Sequence, residues 1–258
     1  MRDGRAMTTA VTNAGAPLTG TDVLPTIGMI VPPAPDVVPP EPLQLYPDGV
    51  RFVARGLGLT SLTPDGYDQV IDRIATASAE LAEAGADAIA LMGTSISFYR
   101  GPVFNAELVG RMEAASGVPA TTMSNAVMEA LDKLGARKLS VATAYGDAVN
   151  ERLSAFLREA GFEVLALESL GIVDVDRVFD VTGDDLMALG RRAAAAAPDA
   201  DAMFLSCGGL RTLSVTTPLE IETGLPIVSS AVAGAWAAMR LVGRDPSVPG
   251  YGRLLAAG

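Results

Sequence analysis

Along the chain, short apolar runs alternate with longer stretches in which apolar positions recur every three or four residues. The short runs are rich in β-branched side chains and lack a polar face, which marks strands covered on both sides. They predict strands at Thr26–Val31, Ala88–Met92, Ala120–Thr122, Leu139–Thr143, Ala202–Ser206 and Ile227–Ser229. The longer stretches, rich in Ala, Leu and Glu, predict amphipathic helices over about 64–84, 103–116, 124–134, 147–160, 183–196 and 230–241. Thr63-Pro64-Asp65 opens the first of these with proline at the first helical position. Gly85, Gly117, Gly135 and Gly161 fall where helices should stop. Strand and helix in alternation place the chain in the α/β class, as parallel sheets flanked by helices.

The two halves of the pattern match. Ile27-Gly28-Met29-Ile30-Val31-Pro32 corresponds to Leu139-Ser140-Val141-Ala142-Thr143-Ala144, displaced by 112 residues. Ala86-Asp87-Ala88-Ile89-Ala90-Leu91-Met92-Gly93 corresponds to Ala200-Asp201-Ala202-Met203-Phe204-Leu205-Ser206-Cys207, displaced by 114. Gly117-Val118-Pro119-Ala120 corresponds to Gly224-Leu225-Pro226-Ile227, displaced by 107. Three pairs in one order at nearly one spacing point to duplication and to two pseudo-symmetric lobes. The division read from this is a disordered leader over 1–24, with Met7 as an alternative start, then a first lobe over 25–123 completed by the C-terminal 230–258, and a second lobe over 124–229. Ligands of open α/β sheets bind at the C-terminal ends of the strands. Gly93 and Cys207, equivalent in the repeat, should therefore face each other across a shared cleft.

Composition narrows the chemistry. Nineteen Lys and Arg against 30 Asp and Glu give a net charge of −11, which disfavours nucleic-acid phosphates and anionic membranes as partners. No apolar run approaches the roughly 18 to 20 residues that cross a bilayer, and the first 24 residues lack the apolar stretch of a secretory signal. A lone cysteine forms no internal disulfide, so a reducing cytoplasm is the expected setting. Zero histidines remove the Ser-His-Asp triad, the Cys-His pair and every imidazole metal site, and no metal is expected. The two lysines, Lys133 and Lys138, flank a helix-to-strand turn and read as solvated surface, which argues against Schiff-base chemistry. Proton transfer is left to cysteine, tyrosine or a carboxylate. Oligomeric state stays open, because no exposed apolar helix face stands out.

Cys207 leaves an apolar strand and enters Gly208-Gly209. An isolated cysteine after such a strand is commonly inert core. Here the glycines let the backbone approach a ligand, their N–H groups can bind an anion, and a following helix start would favour negative charge. Its twin, Met92-Gly93-Thr94-Ser95-Ile96-Ser97, offers two hydroxyls and free N–H groups as a carboxylate cradle, although Thr-Ser in a loop is often only a helix cap. Tyr145, at a strand's C-terminal end, can bring an O–H to the cleft.

Pro25-Thr26-Ile27-Gly28-Met29-Ile30-Val31-Pro32-Pro33, Gly56-Leu57-Gly58-Leu59, Leu91-Met92-Gly93-Thr94-Ser95, Ala142-Thr143-Ala144-Tyr145, Leu205-Ser206-Cys207-Gly208-Gly209 and Pro249-Gly250-Tyr251-Gly252-Arg253 together resemble the arylmalonate decarboxylase family. The likeness runs from about residue 25 to 254. It implies an aspartate/glutamate racemase-like fold and cofactor-free decarboxylation of aryl or alkenyl malonates to one enantiomer of the monoacid. It also implies roles. Thr94, Ser95 and Tyr145, with backbone N–H groups near Ser95 and Gly208, would hold one carboxylate and the enediolate. Leu59, Leu62, Ile96, Val175 and Val178, with Tyr67 nearby, would surround the departing carboxylate. Pro32 and Pro33 would wall the aryl group, and Cys207, as a thiol, would deliver the proton. Leu62 and Ile96 differ in shape from the family's usual pocket residues, and Pro35 to Pro42 is unusually proline-rich.

Racemases and isomerases of the superfamily usually carry a cysteine in both loops, one for each face of the reacting carbon. Gly93 stands at the first position here, which disfavours that alternative. A non-catalytic carboxylate binder would keep Thr94 and Ser95 and have no need of Cys207.

Overall fold

The computed structural model describes residues 24–256; the leader expected over 1–24 lies outside them except for Leu24. In chain order the elements are β1 (Thr26–Val31), α1 (Pro40–Leu45), β2 (Arg51–Gly56), α2 (Pro64–Val70), α3 (Arg73–Glu83), β3 (Ala88–Leu91), α4 (Thr94–Phe98), α5 (Gly101–Ser116), β4 (Ala120–Thr122) and α6 (Met123–Lys133). The second half continues with β5 (Lys138–Tyr145), α7 (Asp147–Glu159), β6 (Glu163–Ile172), α8 (Val175–Val178), α9 (Gly183–Ala196), β7 (Ala202–Ser206), α10 (Leu213–Thr223), β8 (Ile227–Ser229), α11 (Ser230–Leu241) and α12 (Arg253–Ala256).

Two four-stranded sheets result, ordered β2-β1-β3-β4 and β6-β5-β7-β8, with every pairing parallel. Their registers reproduce the repeat. Ile27 pairs with Ala88 as Leu139 pairs with Ala202, and Ile89 pairs with Ala120 as Met203 pairs with Ile227. The connecting bonds repeat too. Asp87 N–H donates to Thr26 O as Asp201 N–H donates to Lys138 O, both at 2.7 Å, and each aspartate turns a carboxylate oxygen back onto the N–H groups that open the neighbouring strand.

All six expected strands form. Two more, β2 and β6, were not read from the pattern because they are outer-edge strands. Neither presents a run buried on both faces, and each carries charge, Arg51 and Arg55 in one, Glu163 and Glu168 in the other. The helix expected over 64–84 is two, α2 and α3, separated at Val70-Ile71-Asp72, three weak helix formers in a row. Thr63 does cap α2, its side chain accepting from Gly66 N–H at 3.1 Å. Helix α10 escaped the pattern because Val, Thr and Ile crowd it and Pro218 sits inside it. Helix α11, buried almost throughout, packs against α6 and touches β3, β4, β7 and β8, so it stands between the two sheets.

Candidate active site

The C-terminal ends of four strands open into one cavity of about 380 Å³. Strand β1 delivers Pro32 and Pro33, β3 delivers Gly93, Thr94 and Ser95, β5 ends on Tyr145, and β7 runs into Cys207 and Gly208. Leu59, Leu62, Val175 and Val178 complete the apolar wall. Of the expected site residues, Tyr67 and Ile96 are not in the lining. Ile96 lies fully buried behind Gly93, with its Cδ1 3.1 Å from where a β-carbon on Gly93 would stand. Tyr67 is buried too. Its Oη meets no partner in hydrogen-bond geometry, yet the Ser95 hydroxyl and the Cys207 thiol are near enough to influence its ionisation, which burial shifts upward.

The Gly93 loop starts a helix without a side-chain cap. Gly93 is the N-cap of α4 and has no oxygen to offer, so the N–H groups of the first turn are left for another acceptor. Thr94 and Ser95 are helical residues rather than caps. Ser97 Oγ donates to Thr94 O at 2.8 Å and lies 2.6 Å from Ser124 Oγ, which pins α4 to α6, while Thr94 Oγ1 contacts Met123 Sδ at 3.3 Å.

The Cys207 loop is built differently. Cys207 has φ 154°, a backbone that side chains other than glycine's rarely adopt, at a cost of order 1–3 kcal/mol. Its N–H donates to Ser230 Oγ at 3.3 Å, and its carbonyl accepts from Leu210 N–H at 3.3 Å. The expected helix start does not follow directly, since α10 begins only at Leu213. The sulfur instead meets the N–H groups of Gly209 and Leu210 and the Tyr145 hydroxyl; these favour the thiolate, but burial outweighs them and pushes the thiol up from 9.0 to about 11. Tyr145 is raised as well, first by burial and then by the thiol and Tyr67 beside it, and Ser206 Oγ lies 3.4 Å from its Oη. The two loops touch: a β-carbon on Gly208 would come within 2.9 Å of Met92 O and 2.8 Å of Met123 Sδ. Lys133 and Lys138 are exposed and outside the cavity lining.

A family model described as arylmalonate decarboxylase matches residues 27–255. The chain is 51% identical to arylmalonate decarboxylase of Bordetella bronchiseptica, over 89% of this chain and 96% of that protein. The family is thereby decided. This chain belongs to the arylmalonate decarboxylase family. A double mutant of arylmalonate decarboxylase solved in its liganded form superposes with a TM-score of 0.89 at 49% identity, covering 91% of this chain and all of that one. Maleate isomerase Iso of Pseudomonas putida S16 shares the fold, with a TM-score of 0.83 at 23% identity over 90% of this chain and 98% of that one.

Against the other arylmalonate decarboxylase features, the proline-rich segment gains a place. Pro35, Val37, Val38, Pro39, Pro40 and Glu41 line the cavity as a strap. Its near end is tied down by Leu59 N–H to Pro32 O at 2.8 Å and Gly56 N–H to Asp36 Oδ1 at 2.7 Å. Gly56 permits this, because any β-carbon there would strike the backbone of Pro33 and Ala34. The far end is held by Glu41, whose Oε1 accepts from Thr212 N–H, Thr212 Oγ1 and Leu213 N–H, so a residue 171 positions away caps α10. Burial pushes the Glu41 carboxyl up. The proline cluster was the available signal for the strap. Arg211, Asp176 and Phe179, also in the lining, carried none.

Proposed function

We propose that this protein is a carboxy-lyase that decarboxylates aryl or alkenyl malonates and returns one enantiomer of the monoacid. The observation that carries the reading is a thiol kept protonated by burial, in the same cavity as a glycine at the equivalent place of the other lobe. One substrate carboxylate is held by Thr94, Ser95 and Tyr145 hydroxyls and by N–H groups of the uncapped α4 turn and of Gly208. The other faces Leu59, Leu62, Val175 and Val178, where an anion is poorly solvated and neutral CO₂ is favoured. As the C–C bond breaks, CO₂ leaves and the electron pair passes into an enediolate. Its second negative charge develops where donors already point, so no reorganisation is needed at that moment. Cys207 Sγ–H then gives its proton to the α-carbon, and the thiolate left behind, bonded by Tyr145 and Gly209, is reprotonated from water.

A thiol with its pKa near 11 is a poor nucleophile and an intact acid at neutral pH, which suits a donor rather than a covalent catalyst. Gly93 offers no acid on the opposite side, so one configuration results. Charge on the intermediate is met by the chain's own donors, and the reaction so written uses no cofactor or metal. The need for a free thiol fits a reducing cytoplasm, and the net charge of −11 fits a small-molecule partner rather than nucleic acid. Among the described residues no helix is long and apolar enough to cross a membrane. The test is incubation with methylphenylmalonate. Release of CO₂ with one enantiomer of phenylpropionate supports the reading. Racemisation of enantiopure phenylpropionate without CO₂ release indicates a racemase, and binding without either indicates a carboxylate carrier.

A further inference from the structure

Arg211 is, among the described residues, the one basic side chain that lines the cavity, and no carboxylate pairs with it within salt-bridge distance. Its position opposes local electrostatics. It immediately precedes Thr212, the N-cap of α10, where the helix presents its positive end and an anion is the favoured neighbour. The nearby carboxyl feels the Arg211 charge but forms no ion pair with it: Glu41 Oε1 is engaged by Thr212 and Leu213, and Glu41 Oε2 is sealed from solvent without a partner. Asp176, the third charged lining residue, sits on α8. Arg211 and Glu41 also border a second hollow of about 250 Å³ toward Gln44, Ser214 and Tyr251, so there is room on the far side of the guanidinium. The thiol and the hydroxyls that act on the reacting carbon belong to other positions, leaving this cation without a part in the proposed chemistry.

We propose that Arg211 is a specificity-determining residue that selects malonates whose aryl or alkenyl group ends in an anion, such as a ring carboxylate. A guanidinium pairs bidentately with a planar carboxylate, and the strap beside it, Val37 to Pro40, supplies an apolar surface for the ring between the two charged ends of such a substrate. The inference rests on the decarboxylase reading and deepens it.

The experiment compares phenylmalonate with its para-carboxyphenyl counterpart in the wild type, Arg211→Leu and Arg211→Lys. The expected result is a loss of about tenfold or more in kcat/KM for the carboxylated substrate in Arg211→Leu, carried by KM, with phenylmalonate changed less than about twofold and Arg211→Lys in between. Equal losses on both substrates, suppressed by salt, would make Arg211 a general attractor of dianions and overturn the proposal. Unchanged kinetics on both would overturn it as well. Calorimetric titration with para-carboxyphenylacetate reads the same site without turnover. Arg211-dependent affinity in a protein that releases no CO₂ would keep the binding site and remove the decarboxylase reading, and Arg211-independent affinity would remove the site.

Discussion

The loops after β3 and β7 occupy equivalent places in the two lobes, yet each holds the residue that the other's backbone would favour. Gly93 has φ −130°, an extended conformation open to any residue, and it is the limited space beside Ile96 and Pro32 that a side chain there would contest. Cys207 has φ 154°, a conformation suited to glycine. One loop passes directly into a helix and offers donors; the other delays its helix and holds up a sulfur. The duplicated scaffold thus supplies equivalent places twice, and in the proposed mechanism the difference between the two loops divides the labour into grasping an anion and protonating a carbon.

The sharpest way to break that contrast is Cys207→Gly, which removes the proposed acid and relieves the backbone. Turnover of methylphenylmalonate should fall by about 10²–10⁴-fold, with a melting temperature no lower than wild type. A Cys207→Gly protein that still turns over at more than a tenth of the wild-type rate would refute the thiol as donor. Next in size is Gly208→Ala, whose β-carbon would press on Met92 O and Met123 Sδ and push the loops apart. A loss of roughly 10- to 100-fold in kcat with the fold intact by circular dichroism is expected. Gly93→Cys makes the loops alike. The new side chain meets Ile96 Cδ1 at 3.1 Å and Pro32 Cγ at 3.3 Å, so small shifts admit it, and chiral chromatography should show an eroded enantiomeric excess.

Acidity of the thiol sharpens the contrast further. Burial raises the Cys207 pKa from 9.0 to about 11, so the thiol, the form the proposed mechanism needs, persists as pH climbs through 9 and is lost only toward 11. A kcat profile level through pH 9 and falling above it fits; an alkaline limb centred at 9 or below does not. The smallest effect is Glu41→Ala, which strips the cap from α10 beneath the Cys207 loop. It should cost about 1–2 kcal/mol, read as a drop of a few degrees in melting temperature.

How much of this was legible follows from burial and from contacts. Strands covered on both faces, such as Ile27–Val31 and Ala202–Ser206, wrote themselves as apolar runs, whereas β2 and β6, half-exposed at outer edges, alternate with charge and left no such run. The register of the repeat was readable because matching residues hold matching places in both sheets. Twelve of the fourteen expected site residues line the cavity; Gly93, Tyr145 and Cys207 were legible because they follow predicted strand ends, whereas Leu59, Leu62, Val175 and Val178, which follow the unread β2 and β6, were expected only from the family resemblance. Ile96 is turned behind Gly93 by the first turn of α4, a rotation that spacing alone does not reveal. The Glu41 cap was illegible because it depends on a contact spanning 171 positions, which no local pattern encodes.

Helix α11 carries a consequence for how the protein is made. It arrives after both sheets in the chain and fills the space between them, touching strands of each. Until it leaves the ribosome, the short strands β4 and β8, each at one edge of its sheet, lack one of the helices that pack on them. A chain halted shortly before residue 230 would therefore expose the apolar surface that α11 covers and would be prone to association.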